Sequence, residues 1–180
     1  MKVAITGHTD GIGKAIAEAF EARGDEVVGM SRSTGFPLPQ AYGGIIQVAK
    51  DCDIFVNNRH QYNDDTQLRL LYDMFEEWKG QNKRIIVIGS RAGEMYMLGE
   101  VNRYAVYKHA IDGACRQLFN RADQRPMVTN IRPGYVDTAS IAGVMHQPKL
   151  DPEDVAHAVM YAVDAPYYVP QVTLSKQKFG

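Results

Sequence analysis

Short apolar runs rich in β-branched residues alternate along the chain with longer stretches whose apolar residues recur at helical spacing. That alternation predicts stacked βαβ units and an α/β fold with a mainly parallel sheet. Lys2 to Thr6 reads as the first buried strand. Between Gly11 and Arg23 the residues Ile12, Ala15, Ile16, Ala19 and Phe20 keep helical spacing, and Gly24 follows as the C-terminal cap. Val27 to Met30 is the second strand. Residues 33–44 hold two prolines and three glycines and are predicted to be loop. A short helical piece over Ile45 to Lys50 and a strand over Asp53 to Asn57 come next. Leu68, Leu71, Tyr72 and Phe75 form a helical stripe, whereas Ile85-Ile86-Val87-Ile88, inside Arg84 to Gly89, suits a central strand buried on both faces. A helix from Val101 to Ala122 lines up Tyr104, Lys108, Ile111, Cys115 and Leu118 on one stripe. Met127 to Ile131 is a further strand. Asp151 and Pro152 mark a helix start as cap and first-turn residue, with Val155, Ala158, Val159, Ala162 and Val163 as its buried face.

Composition bounds this picture. A chain of 180 residues with 45% hydrophobic composition is long enough for one sizeable core and short for two, so residues 1–180 are expected to form a single domain. The formal charge of −1 gives no electrostatic case for nucleic acid or an anionic membrane surface. The first residues turn polar too soon for a secretion signal, and no apolar run approaches the roughly 20 residues of a membrane span, which favours a cytoplasmic setting. Cys52 and Cys115 lack CxxC pairing and read as reduced packing residues. The five histidines are scattered without metal-ligand spacing, so no metal is expected.

Chemistry concentrates at three places. The first strand runs into Thr6-Gly7-His8-Thr9-Asp10-Gly11-Ile12-Gly13 and then a helix, an order that lets backbone N–H groups approach a pyrophosphate where a Cβ at Gly11 or Gly13 would intrude. A nucleotide-triphosphatase loop is rejected, because Lys14 is followed by Ala15 where a magnesium-binding hydroxyl is needed. Further along, Tyr104 and Lys108 stand one helical turn apart, so the ammonium favours the phenolate and makes the phenol a usable proton donor. Ser90 closes the strand before them.

Taken in order, Thr6 to Gly13, Asn57-Asn58, Ser90, Tyr104-xxx-Lys108 and Pro133-Gly134 resemble the short-chain dehydrogenase/reductase family over nearly the full length. The resemblance implies a Rossmann-like, doubly wound, mainly parallel sheet with helices on both faces. It implies Tyr104 as proton donor or acceptor, Lys108 as the residue that assists the phenol and holds the nicotinamide ribose, and Ser90 as the hydroxyl that steadies the substrate oxygen. It also implies cofactor contacts from Gly7, Thr9, Gly11, Ile12, Gly13, Ser31, Arg32, Asn57, Asn58, Pro133, Gly134, Val136 and Thr138, with Thr138 at the carboxamide. Three departures stand out. Arg59-His60 replaces a small Ala-Gly pair; the asparagine of the proton relay is missing, the family's spacing landing on Asp64-Asp65-Thr66; and the stretch between the second and fourth strands of the family pattern is reduced, which removes its third strand.

Cofactor choice is read at the end of the second strand, where a carboxylate favours NAD and an arginine can pair with a 2′-phosphate. Ser31-Arg32-Ser33 carries no acid there, so NADP is expected over NAD. The leading expectation is an NADP(H)-dependent oxidoreductase interconverting a carbonyl and an alcohol on a small substrate. Its substrate pocket is expected from Ser90, residues 93–101 and residues 139–149. The alternative is a catalytically weak or inactive cofactor-binding regulatory or scaffold protein. The resemblance also implies a homodimer or homotetramer, to which Leu71, Trp78 and Phe119 would contribute.

Overall fold

A computed structural model describes residues 1–38, 40–60, 64–94, 101–121, 125–144 and 147–176. Strands β1 (Lys2–Thr6), β2 (Glu26–Met30), β3 (Ile54–Asn57), β4 (Arg84–Ile88), β5 (Met127–Pro133) and β6 (Gln171–Leu174) form one sheet in the order β2-β1-β3-β4-β5-β6. Every pairing among them is parallel. Helices α1 (Gly11–Ala22), α2 (Tyr42–Ala49), α3 (Thr66–Glu77), α4 (Arg103–Phe119) and α5 (Pro152–Asp164) cover both faces.

The strand alternation decides which helix goes where. Val3, Ile5, Ile54, Val56, Ile86 and Ile88 point to one side and pack with Ile16, Phe20, Val155 and Val159 of α1 and α5. Ala4, Phe55, Ile85 and Val87 point to the other and pack with the buried faces of α2, α3 and α4. A sheet buried on both faces explains why its central strands read as unbroken apolar runs. Cys52 and Cys115 are buried thiols in the second of these layers, as packing residues should be.

The chain runs outward from β1 to β2 and then returns to the far side of β1 as β3. Strand order therefore reverses between β1 and β3, and at such a switch point the loops leaving the carboxyl ends diverge and open a crevice. Among the described residues between Met30 and Ile54 there are a 3-10 turn at Arg32–Thr34 and α2 but no further strand, and β2 forms the sheet edge.

Three local readings differ from the pattern. Helix α2 begins at Tyr42, ahead of the expected Ile45, because Phe36 and Leu38 of the preceding loop pack down beside its core face and Gly44 lies against Phe36. Strand β6 has no counterpart in the sequence reading: it is four residues long, Gln171 and Thr173 are exposed, and pairing with β5 alone makes it a strand. Helix α4 starts at Arg103, where the Asn102 side chain accepts from Ala105 N–H at 3.2 Å, and ends at Phe119; Ala122 lies outside the described residues. The start of α5 is as expected, with the Asp151 N–H also donating to the Asp154 carboxylate at 2.9 Å.

Leu71 and Trp78 correct the interface reading. Both are 0% exposed, packed between α2, α3 and the sheet, with the Trp78 indole N–H donating to Lys50 O at 3.0 Å. Neither side chain is available to a second copy. Phe119 is half-buried with its ring 5.2 Å from that of Tyr168.

Candidate active site

The glycine turn is held by the neighbouring strand end. Thr6 Oγ1 accepts from the N–H groups of Asn58 and Arg59, each at 3.0 Å, and Asn58 Nδ2 donates to Thr6 O at 2.9 Å and Gly7 O at 3.3 Å. Gly7 and Gly11 adopt φ of +70° and +50°, a conformation that costs other residues dearly. A Cβ on Gly13 would fall 2.1 Å from Gly7 O, so only glycine lets α1 start this close to the turn. Asp10 caps α1 through Gly11 N–H at 2.8 Å. Thr9 is exposed and Ile12 half-buried at the same turn.

Opposite the turn stand the residues after β5. Thr138 lies against Gly11, where a Cβ would come within 2.9 Å of Thr138 Cγ2, so the two walls of the crevice touch at this point. Pro133 ends β5, Gly134 N–H donates to Leu174 O at 2.8 Å, and Val136 is buried and bridged to Leu150. A depression of about 510 Å³ opens beside Thr138, lined by Asp10, Lys14, Glu18, Asp137 and Glu153 among others. It contains none of Ser90, Tyr104 or Lys108, and its mainly acidic lining suits an anionic dinucleotide poorly. The depression shares Gly11 and Thr138 with the crevice at the switch point.

At the end of β2, Ser31 is buried and its hydroxyl lies 2.8 Å from Ser33 Oγ and 3.4 Å from Thr34 Oγ1, while its N–H donates to Thr34 Oγ1 at 2.9 Å. Arg32 is exposed beside this cluster of hydroxyls. Thr34 is the member that the sequence reading did not single out.

Ser90 follows β4, buried, with its hydroxyl accepting from Ala92 N–H at 3.1 Å and shaping a 3-10 turn over Arg91–Glu94. Residues 95–100 and 145–146, parts of the expected substrate pocket, lie outside the described residues. Tyr104 is half-buried on the first turn of α4, and Lys108 is 2% exposed with Nζ 5.6 Å from the Tyr104 ring centroid. Lys108 Nζ donates to Gln67 Oε1 at 2.9 Å and to Ile88 O at 3.0 Å. Burial pushes its pKa down to about 7, against the opposing pull of Asp112. Asp112 itself is buried, accepts from Asn130 Nδ2 at 2.8 Å and pairs with Arg132 at 3.1 Å.

Two expected cofactor contacts part company here. Asn58 sits at the turn. Asn57 has no exposed surface and its side-chain amide donates to Gln67 O at 2.8 Å, so it braces the site from beneath. Gln67 itself was overlooked, although a signal existed: Gln67, Leu70, Leu71 and Met74 follow helical i, i+3, i+4, i+7 spacing, which puts an amide on a buried apolar face.

Arg59 and His60, the bulky pair at this place in the chain, stand beside the turn and beside Tyr104. The Arg59 stem lies alongside Gly7, and the residue is exposed. The His60 ring meets the Tyr104 ring edge-on at 5.1 Å. Burial, then the Lys108 charge, pushes the His60 pKa down to about 4. Its folded form therefore binds fewer protons than the unfolded chain between about pH 4 and 6.5, and that part of the stability is lost as pH falls through this window. His60→Asn is expected to flatten the fall in melting temperature between pH 7 and pH 4.5; an equal fall in parent and variant would contradict it.

No protein-family model matches the chain. Among characterised proteins, it is 27% identical over 181 residues to the 3-oxoacyl-[acyl-carrier-protein] reductase of Escherichia coli, covering 74% of this chain and 72% of that protein. It is 25% identical over 231 residues to human dehydrogenase/reductase SDR family member 11, covering 92% and 89%. Many solved structures share the fold, among them two with bound NADP. One is a short-chain dehydrogenase from Burkholderia cenocepacia in complex with NADP, with a TM-score of 0.76 and 20% identity over 97% of this chain and 88% of that one. The other is a gluconate 5-dehydrogenase homologue from Beutenbergia cavernae with bound NADP, at 0.73 and 22% over 96% and 93%. With the ordered motifs standing at the carboxyl edge of a matching sheet, the chain is similar in sequence and in fold to short-chain dehydrogenases/reductases, at a shorter length.

Proposed function

We propose that the protein is an NADP(H)-dependent oxidoreductase that interconverts a carbonyl and an alcohol on a small substrate. The observation that carries this reading is the buried Lys108 ammonium, fixed by two carbonyl oxygens one helical turn from Tyr104, at the crevice that the glycine turn opens. The turn suits a dinucleotide: positive φ at Gly7 and Gly11, and a Gly13 that lets α1 begin tight against Gly7 O, bring the N-terminal N–H groups of α1 to the crevice, where a pyrophosphate would sit, with Thr138 at the far wall and Ser31 and Arg32 toward the adenosine end. When bound, the nicotinamide supplies or takes up the hydride. In reduction the Tyr104 hydroxyl gives its proton to the substrate oxygen, Ser90 holds that oxygen, and Lys108 stabilises the phenolate left behind; oxidation runs the same transfer backward.

Turnover of an aldehyde and ketone panel with NADPH tests the reading. Tight NADPH binding with no turnover across the panel would instead favour a regulatory or scaffold protein. The preference for NADP over NAD rests on Arg32 and the absence of any acid in residues 31–34. Arg32→Ala is expected to weaken NADPH binding by about 1.5–3 kcal/mol, the scale of a hydrogen bond to a charged group, and to leave NADH nearly untouched. Ser31→Asp, placing a carboxylate among the hydroxyls of Ser33 and Thr34, is expected to swing preference toward NADH. Equal losses for both cofactors in Arg32→Ala would mean that the guanidinium does not read the phosphate.

Residues 1–180 act as one domain in this reading, in a cytoplasmic setting consistent with two buried thiols. No helix among the described residues is long and apolar enough to cross a membrane. Association as a homodimer or homotetramer would have to use surfaces other than Leu71 and Trp78; sedimentation of the purified chain would measure it.

A further inference from the structure

Lys108 is fixed by a residue that the family pattern does not provide. Gln67, on the first turn of α3, is 2% exposed and all of its side-chain polar atoms are engaged. Its Nε2 donates to Asn57 O at 2.9 Å and Ile88 O at 3.0 Å, the last carbonyls of β3 and β4. Both partners only accept, so the amide has one workable orientation: reversed, its oxygen would face two carbonyls and its NH₂ would face an ammonium. Oε1 must therefore point at Lys108, which donates to it at 2.9 Å. The backbone repeats the tie, since Asn57 Nδ2 returns a bond to Gln67 O at 2.8 Å.

We propose that Gln67 is the positioning residue for Lys108, taking the place of the absent relay asparagine by holding the ammonium directly, side chain to side chain. An ammonium has three protons. Gln67 Oε1 and Ile88 O take two, which fixes rotation about the last bond of the lysine and leaves one N–H for the site. Gln67 thus ties the ends of β3 and β4 to α4, the elements that carry Asn58, Ser90 and Tyr104.

The proposal rests on the oxidoreductase reading, and two variants separate its failure from that of the reading. Gln67→Met keeps the volume and removes the acceptor; Gln67→Glu keeps the acceptor and makes it an anion. With both folded, Gln67→Met is expected to lower kcat at least about tenfold, the scale of one lost hydrogen bond to a charged group. Gln67→Glu is expected to move the pH-rate limb of the Tyr104–Lys108 pair upward, because a carboxylate favours the ammonium. A merely structural glutamine would change melting temperature and leave that limb in place. Should Gln67→Met fail to fold, the limb in Gln67→Glu decides: displaced upward it supports the proposal, unmoved it overturns it. If the parent turns over no carbonyl, the reading of function fails, and the Lys108 Cε resonance of 13C-lysine protein without cofactor still tests the contact. A higher titration midpoint in Gln67→Glu than in the parent supports it; the same midpoint in both overturns it.

Discussion

Tyr104→Phe is expected to bind NADPH as the parent does while losing about 10²–10⁴-fold in kcat for carbonyl reduction, the usual worth of a positioned general acid. The substitution removes the transferable proton and keeps the ring. That ring is what packs: His60 meets it edge-on at 5.1 Å, and the Lys108 ammonium lies 5.6 Å from its centroid. Both ring contacts survive in phenylalanine. Fluorescence titration with NADPH and single-turnover rates at saturating cofactor give the two numbers separately. A variant that reduces a true substrate as fast as the parent would remove Tyr104 from the chemistry.

Much of this site could be read before the fold was known, because its parts are local. The glycine turn is a question of backbone space next to one strand, and its tightest contact joins Gly13 to Gly7, six positions away. Tyr104 and Lys108 share a helix face by spacing alone. The lack of a further strand between Met30 and Ile54 among the described residues was legible too, since the stretch is short against the family pattern and residues 33–44 read as loop. The reading failed where a contact spans distant parts of the chain. Gln67 meets a lysine 41 positions on, and the buried Asn57 amide, expected as a cofactor contact, donates to Gln67 O. Leu71 and Trp78 were assigned to an interface for the same reason: an apolar stripe says that a face is buried, and only packing against α2 says by what. Strand β6, short and half polar, exists through its ladder to β5 and carries no periodicity of its own.

Lys108→Met is expected to impair both halves of the proposed function, because one charge serves two partners. Loss of a preorganised electrostatic stabiliser typically costs about 10²–10³-fold in kcat, and NADPH affinity is expected to fall with it. Stability should respond in a pH-dependent way that distinguishes this variant from a damaged fold. In the parent, burial lowers the lysine pKa from 10.5 to about 7, so between those values the unfolded chain binds more protons than the native one. Parent stability attributable to this group therefore rises as pH increases from about 7 to 10.5. Methionine cannot titrate and loses that rise. It also leaves Gln67 Oε1 without its donor, a penalty of about 1–3 kcal/mol that is independent of pH, whereas Ile88 O keeps the Gln67 amide. The two effects oppose each other near and below pH 7, where the parent bears the cost of its buried charge, and only the penalty remains near pH 10. The expected result is thus a small difference in melting temperature at pH 6 and a larger deficit for the variant at pH 10. The same deficit at both values would place the Lys108 titration outside this range, and unchanged rate together with unchanged cofactor affinity would remove Lys108 from the site.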